Sequence, residues 1–353
     1  MIALQGLSPA RLVRLLPAVP IEDARKIVSA VFRKKPLSPP PAGVRRVSID
    51  AVLAACHEPS LEVVSEEKSQ VDPFRKLVVK TPDGELVETV RIPLEKPGRF
   101  SACVSSQVGC ALACAFCATG RMGLRRNLET WEIIEQVRLL RDGLDATKSE
   151  RIHGVVFQGM GEPMANLDRV LAAIEVMTDP CALAIDAKNI TVCTSGLPTG
   201  IRRLAIEQPN VRLGLSIGGA IPSVRRSLMP IDLAHPLTEV LDAAAEHAER
   251  TRNAPMWAVT PLAGVNDTDD DARALAKLAL SFATRTGVRP RISIVPYNRI
   301  ADSDDPFVRQ DAARASAFRA AMASEGVYAH LRYSGGGDVA AACGQLRAKV
   351  AAS

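Results

Sequence analysis

Beyond Gly120 the chain alternates between two kinds of segment. Short apolar runs (GVVFQG, NITVCTSG, VRLGLSIGG, MWAVTPL, RISIVPYN and YAHLRYSG) are separated by amphipathic stretches. TWEIIEQVRLLRDG, LDRVLAAIEVMT, LTEVLDAAAEHAER, DDARALAKLALSFATRT and DAARASAFRAAMASEG are examples. Strand runs alternating with helical patterns predict βα units around a parallel sheet, so the fold class is α/β. The order can close into a full or partial (β/α) barrel. In such folds the chemistry sits at the C-terminal ends of the strands. The unusual residues cluster there: Gly159 to Pro163 (GMGEP), Cys193 to Gly196 (CTSG), Ser216 to Gly219 (SIGG) and Pro296 to Asn298 (PYN). Gly and Pro at strand ends are also ordinary turn residues, but four such loops on one face point to a shared site.

Upstream the pattern differs. SPARLVRLLPAV and IEDARKIVSAVFRK read as short amphipathic helices, and SIDAVLAAC as a third. The Pro-rich joint from Pro36 to Gly43 cannot continue a helix. From about residue 60 the sequence alternates as strands, with a hairpin-type turn at PDGE. Three parts are expected: a small basic helical domain over residues 1–58, a strand-rich extension over 59–100, and a core over 101–353. Residues 1–50 hold nine Lys or Arg and three acids, which leaves a net −1 on the remainder of a chain whose total is +5. A basic module on a near-neutral body suits a polyanion such as nucleic acid, and equally describes a solvated basic face.

No run of about 18 apolar residues appears, so no membrane span is expected. The N-terminus lacks the order of a signal peptide. A cytoplasmic location follows, and reducing conditions there make a tight cysteine group metal-binding or catalytic. Such a group exists in CVSSQVGCALACAFCATG, where Cys110, Cys114 and Cys117 follow a C-x3-C-x2-C spacing and Cys103 stands seven residues ahead. A structural zinc site wants four ligands, and the nearest downstream histidine is His153. A complete iron–sulfur site would need Cys103 as a fourth thiolate. The third option is a [4Fe-4S] cluster on three thiolates with one iron left open.

The spacing, with Phe116 just before the last cysteine, resembles the radical S-adenosylmethionine signature. Together with GMGEPMANL, TSG, VPYN and AACGQL, in the same order over nearly the whole chain, it resembles the RNA adenine methyltransferases known as RlmN, with Cfr as a close relative. The resemblance implies a partial barrel of the radical S-adenosylmethionine type, preceded by a small RNA-binding accessory domain. Its implied cofactors are one [4Fe-4S] cluster, held by Cys110, Cys114 and Cys117, and S-adenosyl-L-methionine, bound by the open iron. It implies that a methyl group is first placed on a cysteine, which matches Cys343. An adenosyl radical then activates that methyl for addition to an electron-poor adenine ring carbon, C2 or less often C8. Cys103 matches the cysteine that releases the product through a transient disulfide, and Glu88 the base that takes the ring proton. Gly161, Glu162, Cys193, Ser216, Ile217, Gly218 and Asn298 match the cofactor contacts. The implied partners are rRNA or tRNA and a flavodoxin-type electron donor, with the chain a monomer.

Outside the resemblance, Glu88 reads as an exposed strand carboxylate and Cys343 as a packed helix cysteine. The chain departs from the family in three places. Gly218 stands where a His is usual, Cys193 where a Ser is usual, and SGGGD (Ser334 to Asp338) where TRGDD is usual, losing an Arg. The same chemistry on another RNA or a small molecule, and a cluster-holding RNA-binding protein without activity, are the alternatives.

Overall fold

The computed structural model describes residues 1–300 and 304–347. At the N-terminus, β1 (Ile2–Ala3) leads into α1 (Pro9–Leu15), α2 (Ile21–Phe32) and α3 (Arg46–Ala55), and β2 (Cys56–His57) returns to pair with β1 in parallel. Ser8 caps α1 by accepting from the Arg11 N–H at 3.2 Å. Pro9 takes the first helical position, where its missing N–H costs nothing.

These helices dock on the body. Arg11 pairs with Glu175 at 2.7 Å and the Arg141 guanidinium donates to Phe32 O at 2.7 Å. Most of the basic charge anticipated at this end is spent internally. Arg11 and Arg14 meet Glu175, Lys34 meets Asp142, Arg45 meets Asp23 and Arg46 meets Asp50. Arg25, Lys26, Arg33 and Lys35 remain around a shallow groove beside Cys181.

Next come β3 (Glu62–Lys68), β4 (Arg75–Lys80), β5 (Leu86–Pro93) and β6 (Arg99–Cys103), an antiparallel run. The PDGE turn joins β4 to β5, closed by Gly84 N–H donating to Thr81 O at 2.8 Å. The sheet's edge strand, β3, is rich in charge (EVVSEEK), which discourages pairing with other chains. A hairpin follows, β7 (Gln107–Cys110) with β8 (Gly123–Asn127), and then α4 (Thr130–Asp142).

The βα units then run in order: β9 (Arg151–Phe157), α5 (Leu167–Thr178), β10 (Ile190–Thr194), α6 (Pro198–Glu207), β11 (Arg212–Ser216), α7 (Pro222–Leu228), α8 (Leu237–Thr251), β12 (Met256–Val259), α9 (Asp269–Thr286), β13 (Arg291–Ile294), α10 (Ala312–Ser324) and β14 (Ala329–Leu331).

One ten-stranded sheet carries this succession in the order β14-β13-β12-β11-β10-β9-β6-β5-β4-β3. From β6 through β14 every pairing is parallel. The sheet is the expected α/β partial barrel. Successive strand residues face opposite sides. Val192, Leu215, Trp257 and Ile294 are buried on one face, where Trp257 meets Phe282 of α9 edge-on at 5.3 Å. Cys193, Ser216, Ala258 and Val295, one residue away from each, line a cavity on the other face.

The β7–β8 hairpin and helices α6 and α7 were not singled out in the sequence. α7 in particular has a polar pattern (PSVRRSL), because one of its arginines points inward. No helix among the described residues is long and apolar enough to cross a membrane.

Candidate active site

The cavity lies at the C-terminal ends of the parallel strands and holds ≈ 1080 Å³ of free space, part of it open to solvent. Cys110, Cys114, Cys117, Gly161, Glu162, Cys193, Ser216, Gly218 and Cys343 all line it. The sequence had scattered these positions over more than two hundred residues.

The cysteine loop is the connection of the β7–β8 hairpin. Cys110 ends β7, and Cys114 and Cys117 lie in the loop, where Cys117 N–H donates to Cys114 O at 3.1 Å. Burial pushes the thiols of Cys110 and Cys114 up to about 12, and their mutual proximity, with Cys117, adds to it. Three soft donors gathered on one cavity suit a positively charged iron centre, which would hold them as thiolates. A single tetrahedral ion would draw its sulfurs to within ~3.8 Å of each other. Among the described residues no three such donors close on one point. A cubane cluster asks instead that each thiolate take a separate iron around a volume, and Cys110, Cys114 and Cys117 all line one cavity.

Cys343 does not lie on a helix. It sits in an irregular tail, and each residue of that tail is tied to a different part of the site. Asn298 Nδ2 donates to Cys343 O at 3.2 Å. Ala118 N–H, in the cysteine loop, donates to Gly344 O at 2.8 Å. Gln345 Nε2 donates to Arg299 O at 3.0 Å, and Thr119 Oγ1 donates to Leu346 O at 2.6 Å. Arg347 N–H donates to Glu88 Oε2 at 2.7 Å.

A smaller cavity adjoins the first. Cys343, Gln158, Val295 and Leu346 line both, whereas Cys103 and Arg332 line only the smaller one. Cys103 ends β6 and is paired there with Val90 on one side and Val156 on the other. Burial, and then the nearness of Cys343 and Cys193, raises its thiol well above the ordinary range. Burial likewise raises Cys343. The disulfide implied by the resemblance is absent: all eight cysteines are free.

Glu88 is not the exposed strand carboxylate its sequence context suggests. It is 2 % exposed, on β5, with Lys76 Nζ 3.3 Å from Oε1 and the tail amide of Arg347 on Oε2. Its side chain is not among those lining either cavity; Leu346, next to the Arg347 amide it accepts from, lines both.

Gly161 has φ +97°, and a Cβ there would lie 2.5 Å from the Gln107 side chain, so the GMGEP loop presses directly on β7. Glu162 follows, 3 % exposed, its carboxylate accepting from Met164 N–H at 3.0 Å and Ser195 N–H at 2.9 Å. Burial raises its pKa against those two donors, and it has no ion pair among the described residues. A buried carboxylate without a cation is the partner an ammonium group needs.

Cys193 is pushed up to about 12 by burial, and its sulfur occupies space that a side chain at Gly214 would take. Gly218 has φ +70°, and a Cβ there would fall 2.3 Å from Met229 Sδ. Both the backbone and Met229 therefore exclude the histidine usual at this position. Ile217 is fully buried, and neither its side chain nor that of Asn298 lines the cavity. Asn298 is committed to the tail and to Ser334, whose Oγ donates to Asn298 Oδ1 at 2.9 Å.

Arg225 was missed in the sequence. It is fully buried, and its guanidinium donates to Ser195 O at 2.8 Å, to Ser216 O at 3.0 Å and to Ile217 O. Its Nε pairs with the buried Asp232 at 3.0 Å. One side chain thus fixes the ends of β10 and β11. The only trace in the sequence is a run of two arginines in a short helix, which reads as surface. Arg225→Ala takes the 3.0 Å partner from buried Asp232, leaving it Arg226 at 3.6 Å and the Leu237 N–H, and removes the guanidinium donor of three carbonyls. A loss of about 3–5 kcal/mol is expected, measured by anaerobic urea denaturation. An unchanged midpoint would show that the strand ends hold without it.

The radical SAM superfamily profile matches residues 104–279. A probable RNA methyltransferase of Sorangium cellulosum is 58% identical over 347 residues, covering 93% of this chain and 88% of its own length. A dual-specificity RNA methyltransferase RlmN of Syntrophobacter fumaroxidans is 38% identical over 290 residues, 82% of this chain and 81% of its own. The crystal structure of a radical SAM methyltransferase from Sphaerobacter thermophilus superposes with a TM-score of 0.87 at 32% identity, covering 99% of this chain and 100% of that one.

Proposed function

Because the chain belongs to the radical SAM methyltransferases of the RlmN type, we propose that it methylates an adenine ring carbon of rRNA or tRNA, C2 rather than C8, through a methylated Cys343. The observation that carries this reading is the position of Cys343. It lies on the wall shared by the cavity of the three-cysteine loop and the cavity of Cys103.

Cys110, Cys114 and Cys117 would hold a [4Fe-4S] cluster. When bound, the cluster supplies the electron, taken from a flavodoxin-type donor, that cleaves S-adenosylmethionine into methionine and an adenosyl radical. Glu162 and Gly161 orient the ammonium end of that cofactor, while Cys193 and the Ser216–Gly218 loop line its adenosyl part. Asn298 acts through the backbone of Cys343.

The adenine carbon between two ring nitrogens is electron-poor and does not attack a sulfonium methyl. Cys343 would therefore carry the carbon to it. Its sulfur would take the methyl of one S-adenosylmethionine, releasing S-adenosylhomocysteine. The adenosyl radical from a second would remove a hydrogen atom so that the carbon adds to the ring, the adduct's odd electron passing back to an oxidised cluster. Glu88 takes the proton that the ring carbon loses, with Lys76 beside its carboxylate. Cys103 then forms an S–S bond with Cys343 as the bond from Cys343 sulfur to the new methyl carbon breaks, and that carbon takes a proton. Residues 1–58 would serve as an RNA-binding module and 59–100 as an extension that brings Glu88 to the core of 101–353.

The test is anaerobic reconstitution with iron and sulfide, followed by nucleoside mass spectrometry of rRNA and tRNA incubated with the enzyme, S-adenosylmethionine and a reductant. One C-methyladenosine in one RNA fraction is expected. Its absence from all RNA, with S-adenosylmethionine still cleaved, would move the substrate elsewhere.

A further inference from the structure

A third cavity continues from the one that holds Cys103, sharing Arg332 and Tyr333 with it. It opens at the other end of the same sheet, and Arg212 of β11, Arg291 of β13, His330 of β14 and Arg332 all line it. No acidic side chain among the described residues lines it. None of the three guanidinium groups has an ion pair or hydrogen bond among the described residues, and Arg332 Nη1 is buried without a partner. Elsewhere in the chain arginines are commonly paired, as at Arg126, Arg169, Arg202 and Arg203.

Burial and the facing charge of Arg291 lower the pKa of Arg212, which marks two cations held against each other. Asp186 acts on Arg212 from outside the groove, and Asp72 is occupied by the Tyr333 hydroxyl at 2.9 Å. Like charges gathered without counter-charges weaken the fold unless an anion joins them.

The departure at SGGGD bears on the same place. A Cβ at Gly335, where the family carries an Arg, would lie 2.4 Å from the Phe74 ring, so this chain has no room for a side chain there. Its cations stand instead on the sheet, beginning three residues earlier with Arg332.

We infer that this groove seats backbone phosphates of the RNA beside the target adenosine while the base enters the cavity of Cys103 and Cys343. The inference rests on the RNA-methylating function proposed above. A base inside a folded RNA must be turned out of its stack to reach a buried thiol, and neighbouring phosphates need cationic partners at the mouth of the pocket.

Arg212 and Arg291 are exposed, so the double variant Arg212→Ala/Arg291→Ala keeps the fold. Its binding to the RNA fraction methylated by the wild type is measured by fluorescence anisotropy across a potassium chloride series. Affinity about tenfold weaker near 0.1 M salt is expected, with a slope of log K against log salt smaller by about 1–2. S-adenosylmethionine cleavage without RNA should match wild type, and Arg212→Lys/Arg291→Lys should restore the slope. If the wild type binds and methylates RNA while the alanine variant keeps affinity and slope, the groove is no RNA contact. If the wild type neither binds nor methylates any RNA, the proposed function fails and the groove's role with it.

Discussion

Cys103→Ala protein, given reductant, S-adenosylmethionine and RNA, is expected to stop with the RNA covalently joined to Cys343. In the proposed chemistry the last bond to break is the one between Cys343 sulfur and the new methyl carbon. Only a second thiol at that sulfur can break it. Cys103 is held for this task by strand pairing on both sides, across a cavity it shares with Cys343. A positioned thiol has an effective concentration far above that of millimolar reductant in solution, so release should slow by on the order of 10³ or more. The adduct would appear as a protein band of raised mass that ribonuclease collapses.

Cys193 is a candidate substitute, since it lines the cavity that Cys343 also lines. Any residual release in the single variant should vanish in Cys103→Ala/Cys193→Ala. Free methylated RNA leaving Cys103→Ala at the wild-type rate would end the assignment of Cys103.

Cys343→Ala has the opposite signature. It should make neither methylated base nor adduct, with product below about one part in 10³ of wild type, a loss of over 4 kcal/mol in barrier terms. It should still cleave S-adenosylmethionine slowly. The tail is docked through backbone groups: Cys343 O, Gly344 O, Leu346 O and Arg347 N–H. Removing the sulfur spares all four bonds, so the cofactor cavity keeps its wall. Deoxyadenosine release by chromatography, beside nucleoside mass spectrometry on the same sample, checks both halves. Methyladenosine from the alanine variant would show that the carbon reaches RNA by another route.

The sheet was legible because the parallel strands are buried runs bounded by turns, and their order follows the chain. The cysteine loop was legible because its three thiols are local in sequence. The tail was not. Its register is set by single backbone hydrogen bonds to Ala118, Thr119 and Glu88, and nothing in AACGQL announces those partners. Glu88 misled for a related reason. Its strand pattern is that of a solvated edge, yet β5 is an interior strand and Lys76 and the tail cover the carboxylate. Arg225 was hidden because a guanidinium reads as surface until three carbonyls are seen to converge on it. The N-terminal charge was countable, but the acids that neutralise much of it, Glu175 and Asp142, lie far along the chain.

The tail also imposes a sequence of events on biogenesis. Ala118 N–H and the Thr119 hydroxyl find their acceptors in residues translated long after the cysteine loop. A nascent chain therefore displays the loop with those donors still hydrated. Residues 343–347 then supply those acceptors, in the same contacts that bring Cys343 to a cavity still partly open to solvent. Docking of the tail and placement of Cys343 are thus one event, and a change that frees Gly344 O or Leu346 O displaces the thiol with it.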